Sequence, residues 1–176
     1  KWLGNDMPYY NTRDKTTVSE EQYKLMSHIT NVRGHQQMVH TVYVIEDDTK
    51  NTKSISEHSL LVDDITKQMM KYFKINHITL LRAKLNLQHQ FTNNTPEYFN
   101  SPHTDLDFAH WVCIYYVNDA DGDTLFFDNY NDCNIIGRVS PKKGRMLFFD
   151  GKMIHTGQHP IKAWNRLVLN MDFSNE

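Results

Sequence analysis

"WVCIYYVNDADGDTLFFDNYNDCNIIGRVSPKKGRMLFFD", residues 111–150, decides the fold. Residues 111–118, 123–129, 133–140 and 144–150 are short runs rich in β-branched and aromatic residues, divided by turn-forming clusters such as "NDADGD" and "PKKG". Such runs, bounded by Gly, Pro, Asn and Asp, read as strands. Outward from them the pattern continues. "ITLLRAKLNLQHQ" (78–90) lies upstream, and "MIHTG" (153–157) and "RLVLNMDF" (166–173) lie downstream.

Before residue 75 the period changes. "VSEEQYKLMSHITNV" (18–32) predicts a helix with Ser19 as N-cap, acidic residues in its first turn, and Tyr23, Met26 and Ile29/Thr30 on one face. Gly34 follows as a stop. "MVHTVYVIE" (38–46) alternates and predicts a strand. "SISEHSLLVDDITKQMMKYFKI" (54–75) predicts a second helix, capped by Ser56, with Leu61, Ile65, Met69 and Tyr72 as its apolar stripe. Residues 1–18 read as an irregular polar lead.

Helices come first and a strand meander follows, with no βαβ alternation. The pattern predicts a mainly β fold with N-terminal helices: a double-stranded β-helix (jelly roll) packed against two helices. Residues 1–176 are expected to form a single domain, with helical support over 19–74 and the jelly-roll core over about 78–173. Nineteen basic against twenty-one acidic residues give a formal charge of -2, so charge makes no case for a nucleic-acid or membrane partner. No apolar run approaches a membrane span, and "KWLGNDMPYY" has no signal-peptide core. Two cysteines without CxxC spacing, Cys113 and Cys133, suit a reducing, cytoplasmic setting and make a thiolate zinc site unlike this chain.

Polar residues at the head of the 111–118 run need a reason. In "SPHTDLDFAHW" (101–111), His103 and Asp105 are two apart, so an extended chain points both to one face. His155 stands in "MIHTG" after the "GRMLFFD" run. Two imidazoles and one carboxylate form the facial triad of non-haem Fe(II) oxygenases, which keeps three positions open. The zinc-hydrolase motif HExxH is absent. Asp107 is a rival on the face of Asp105. His110, of opposite parity, reads as a loop or surface residue, and His77, His89 and His159 as structural. Arg166 opens the last strand, sharing a face with Val168, Asn170 and Asp172; its position calls for an anionic partner.

The ordered set His103, Asp105, His155 and Arg166 resembles the Fe(II)- and 2-oxoglutarate-dependent dioxygenases of the prolyl-4-hydroxylase type. The resemblance spans roughly residues 80–173. "CIYYVN" (113–118) is similar to their strand after HxD, "DGDTLFFD" (121–128) to their GGxTxF segment with Asp121 replacing the first Gly, and "LRAKLNL" (81–87) to a strand of small phage-encoded members. The resemblance implies that His103, Asp105 and His155 bind Fe(II) and that Arg166 pairs with the distal carboxylate of 2-oxoglutarate. It places Tyr116 beside that carboxylate, although a barrel-core aromatic is an equal reading. It makes Asn170 a cosubstrate contact, with Asn86 and Lys84 weaker candidates on a polar face that can equally be solvated. O2 is the co-reactant and ascorbate an accessory reductant. The implied activity is hydroxylation of a C–H bond with release of succinate and CO2, on a peptidyl proline or another protein side chain. Other readings are a small-molecule substrate, a nucleic-acid-modifying or demethylating oxygenase, and a non-catalytic jelly-roll binding module. The location is the cytoplasm, a host's if the source is viral. Residues 88–102 and 128–134 are the loops expected at the mouth.

Overall fold

Strand β12 (Asn165–Ser174) runs through the middle of the molecule in the computed structural model, which describes residues 10–13, 19–33, 36–45 and 52–174. It lies between β5 (Leu80–His89) and β7 (His110–Tyr116), antiparallel to both. Outside β7 comes β10 (Met146–Asp150), and outside β5 come β3 (Gln36–Ile45) and β1 (Tyr10–Arg13). β4 (Thr52–Ser54) also pairs with β3, making seven strands. A second antiparallel sheet has the order β11 (Ile154–Gly157), β8 (Thr124–Phe127), β9 (Ile135–Val139). β2 (Val32–Arg33) and β6 (Phe99–Asn100) form a short parallel pair.

The alternation of β12 builds two cores at once. Leu169, Met171 and Phe173 pack on one face with Val42, Leu85 and Cys113, and with Val62 and Met69 of α2 (Ser59–Phe73). Val168 packs on the other face with Val112, Ile114, Tyr116, Phe126 and Phe149, which joins the two sheets. Burying each of these large side chains contributes about 1.5–3 kcal/mol, so a one-residue slip of β12 is strongly disfavoured. A third cluster seats Met26 of α1 (Glu20–Met26) with Phe99, Leu125, Phe127 and Cys133. At the "PKKG" turn Gly144 adopts φ 82°, a left-handed conformation that favours glycine, and its N–H donates to the Tyr116 carbonyl.

The later strands fall where their β-forming runs predict them. Several earlier features differ. Within the polar lead, residues 10–13 pair with β3; residues 1–9 and 14–18, Gly34 and the last residue of the 38–46 strand lie outside the described residues. α1 ends at Met26, because Ser27 bonds the Lys24 carbonyl with its hydroxyl and β-branched Ile29 and Thr30 follow. Ser19 does cap it, in a reciprocal box with Gln22, but Tyr23 and Thr30 face solvent. α2 starts at Ser59 with His58 at its N-cap; Ser56 instead accepts the His58 N–H and bonds the His40 ring. Tyr72 is exposed, because the buried side of α2 runs through Val62 and Met69. Among the described residues no helix is long and apolar enough to cross a membrane.

Candidate metal centre

The two histidines are brought together by backbone pairing. His103 and His155, 52 positions apart, form an antiparallel bridge in which each N–H donates to the other's carbonyl at 3.0 and 2.9 Å. Both rings are oriented the same way: Nδ1 of His103 donates to the Ser101 carbonyl at 2.9 Å, and Nδ1 of His155 to the Met153 carbonyl at 3.0 Å. Those protons leave Nε2 of each ring with its lone pair. Asp105 is 1% exposed and sits beside them, and ligand atoms of the three residues all lie within 4.8 Å of one another.

The chemistry of this donor set asks for a cation. With its proton on Nδ1, the His155 ring aims an Nε2 lone pair at Oδ2 of Asp105, 3.2 Å away. Two lone pairs facing at that distance repel unless a proton or a metal lies between them. Adjacent donors on an ion with bonds of about 2.1 Å sit about 3 Å apart, so the pair already has the spacing of two metal ligands. Fe(II) fits: two imidazoles and a carboxylate would hold it, and the bonds from Nδ1 to carbonyls fix the rings.

Asp105 is held by its surroundings. Arg82 donates from Nη2 to its Oδ1 (3.0 Å) and to its backbone carbonyl (3.1 Å), Asn170 donates from Nδ2 to both oxygens (3.1 Å each), and Lys84 Nζ stands 3.7 Å from Oδ1. Burial alone would raise this carboxyl. The His155 contact and the charges of Lys84 and Arg82 outweigh it and hold Asp105 well below the usual range. Lys84 moves down through burial, with Arg82 beside it.

At the far end of the same cavity lies Arg166, 3% exposed. Its Nε donates to the Gly122 carbonyl, Nη1 to Gln88 Oε1 and Nη2 to Thr124 Oγ1, each at 2.8 Å. All three acceptors are neutral. They use three of the guanidinium's five N–H donors; the Tyr116 hydroxyl is a further, more distant neighbour of the guanidinium, and one N–H on each Nη can still turn to a ligand. Burial lowers the Arg166 pKa, partly offset by Tyr116 and Asp123. A buried cation with neutral partners is costly, and a carboxylate placed against its two remaining donors relieves it. Asn86 and Asn170 also line the cavity, each with a buried side-chain oxygen lacking a hydrogen bond.

The expected residues thus divide. His103, Asp105, His155, Arg166, Asn86, Asn170 and Lys84 all line one cavity, and the β5 face of Lys84 and Asn86 points inward rather than into solvent. Asn170 is turned to the Asp105 carboxylate rather than to Arg166. Tyr116 does not line the cavity: its ring is fully buried in the core between the sheets, and its hydroxyl donates to Thr124 Oγ1 at 2.7 Å. Asp107 is exposed and away from the three donors. His110 is buried rather than superficial, starting β7 with its ring against Gly151, where a Cβ would lie 2.2 Å from its Nε2. Sequence reasoning missed Gln88 and Thr124, the two side chains that hold Arg166. Their signal was only parity: Gln88 sits opposite Arg166 across β5 and β12.

No protein-family model and no curated protein matches this sequence. Solved structures do match its fold. An oxidoreductase of the 2OG-Fe(II) oxygenase family from Burkholderia pseudomallei superposes with a TM-score of 0.64 at 12% identity, over 97% of this chain and 75% of the other. IDO from Bacillus thuringiensis gives 0.51 at 18% identity, over 96% and 93%. A prolyl hydroxylase from Trichoplax adhaerens, solved with a hypoxia inducible factor oxygen degradation domain peptide, gives 0.50 at 16%, over 94% and 70%. At such identities the likeness establishes the fold, a mostly β jelly roll like that of these structures, and not the chemistry.

Proposed function

We propose that the chain is an Fe(II)- and 2-oxoglutarate-dependent dioxygenase that hydroxylates a C–H bond, with a peptidyl proline or another protein side chain as its substrate. One observation carries this reading: a His–Asp–His donor set and a buried, neutral-partnered arginine share a single cavity. A metal site by itself has no use for a desolvated cation at the cavity's far end. A dianionic cosubstrate that must be oriented toward the metal does. The proline preference is supported only by the resemblance of residues 80–173 to prolyl-4-hydroxylases.

The roles follow from the contacts. His103, Asp105 and His155 would hold the iron, and Arg166 would take the distal carboxylate of 2-oxoglutarate on the N–H pair left open by Gly122, Gln88 and Thr124. Orienting that end fixes which groups reach the metal at the other. Iron with 2-oxoglutarate and O2 supplies the oxidation of the C–H bond, with succinate and CO2 as co-products. Ile114 and Val168 line the cavity between its polar ends and limit water there.

The test is direct. Anaerobic Fe(II) with 2-oxoglutarate should give a weak visible charge-transfer band with the wild-type protein and none with His155→Ala. A peptide panel assayed for succinate release and a +16 mass shift then reports the substrate. Wild-type protein that binds neither iron nor 2-oxoglutarate refutes the reading.

A further inference from the structure

We infer that Arg82, anchored by Asp172, is a positioning residue that decides which oxygen of Asp105 meets the metal. The inference rests on the metal-centre reading above and adds a function for two charged residues that do not line the cavity. Arg82 and Asp172 are register partners across β5 and β12, two residues beyond the pair Lys84 and Asn170 and so on the same face. Asp172 is fully buried, and its Oδ2 accepts from Arg82 Nε at 2.6 Å. The other end of the guanidinium points at Asp105.

The geometry of that second contact matters. Arg82 Nη2 bonds both the backbone carbonyl (3.1 Å) and Oδ1 (3.0 Å) of Asp105, so one nitrogen holds the main chain and the side chain of a single residue. This constrains the side-chain torsions of Asp105. Oδ1 then faces Arg82 and, at 3.7 Å, Lys84, and shares the Asn170 amide with Oδ2, which is otherwise turned to His155 Nε2. A carboxylate oxygen facing three nitrogen donors has little electron density left for an ion. Asp105 would therefore offer a metal its Oδ2 alone. Asp172 makes this independent of any ligand: the planar guanidinium fork is locked at its Nε edge, and the Nη2 edge is aimed as a consequence. Partners of this kind commonly change metal affinity 10–100-fold when removed.

The bland account is that Arg82 only neutralises Asp172. The two accounts separate in a titration with Co(II) alone, whose visible bands report coordination number and geometry. Arg82→Lys keeps a positive charge opposite Asp172 but cannot span to Asp105. The double variant Arg82→Gln/Asp172→Asn removes both charges, so no orphaned carboxylate remains buried. Positioning predicts that each variant binds Co(II) about 10–100-fold more weakly than wild type and shows altered bands, the sign of a carboxylate that has rotated. Arg82→Lys with wild-type affinity and spectrum overturns the inference while leaving the metal centre standing, whatever the double variant does. Wild-type protein that binds no Co(II) overturns the metal-centre reading, and this inference with it.

Discussion

Arg166→Gln removes one charge from the cavity and leaves its apolar walls alone. The wild-type guanidinium has one N–H on each Nη to give a ligand, and a hydrogen bond to a charged group contributes about 1.5–3 kcal/mol net. For the pair, with their geometric coupling, about 3 kcal/mol is a conservative figure, equivalent to roughly 150-fold in 2-oxoglutarate affinity. Stability without ligand should change little, because losing a desolvated cation is favourable while the Gly122, Gln88 and Thr124 oxygens lose their donor. Thermal shift with Mn(II) and 2-oxoglutarate reads the difference. At 100 times the wild-type Kd the ligand stabilises wild type by about 2.7 kcal/mol, a rise of roughly 5–10 °C for a chain this size. The same concentration should stabilise the variant by about 0.3 kcal/mol, near 1 °C. Mn(II) affinity should stay at the wild-type value, since Arg166 contacts none of the three donors. Equal loss of metal and 2-oxoglutarate binding, or an unchanged 2-oxoglutarate shift, refutes the reasoning.

Further outcomes follow from other contacts. The Asp121 carboxylate accepts the backbone N–H groups of Ile161, Lys162 and Ala163, and the next residue's carbonyl holds Arg166; Asp121→Ala should weaken 2-oxoglutarate binding about tenfold and leave metal affinity intact, by calorimetry. A Cβ at Gly157 would lie 2.9 Å from Arg166 Nη1 and 3.2 Å from Gln88 Oε1, so Gly157→Ala should lower 2-oxoglutarate affinity with little change in melting temperature. Tyr116→Phe should cost only a few-fold in 2-oxoglutarate affinity and about 1 kcal/mol of stability, because its hydroxyl bonds Thr124 directly and is a more distant neighbour of the Arg166 guanidinium. Burial pushes the Cys113 thiol from 9.0 up to about 12. The folded state therefore keeps a proton that the unfolded chain loses: stability is level below pH 9 and falls as pH rises from 9 to 12, by about 4 kcal/mol from this group. Urea melts at successive pH values, compared with Cys113→Ala, check the slope.

Much of the fold was legible because alternation is a local property. Each apolar or polar choice along 166–173 states a face, and two packed faces leave one register possible. The candidate donors His103 and Asp105 were legible for a related reason: residues two apart in extended chain share a face. Elements held by a few long-range contacts were not legible. The two-residue β2–β6 pair has no period to detect, and the start of α2 was misread because Ser56 bonds His40, a residue from another strand, instead of capping the helix. His110 went wrong in the same way; its burial depends on Gly151 lying across β7.

The sequence by itself determined the strand meander, the alternation of faces along each strand, and the candidate donors His103, Asp105 and His155. Only the tertiary structure decided their arrangement. It turned the face of Arg82, Lys84, Asn86 and Gln88 inward, gave Asn170 to the Asp105 carboxylate, moved Tyr116 into the core, and surrounded Arg166 with neutral acceptors. The physical reason is that side-chain parity is written residue by residue along a strand. The partner of a buried charge depends on which other strand lies opposite, and that is fixed only when β5, β12 and β8 meet.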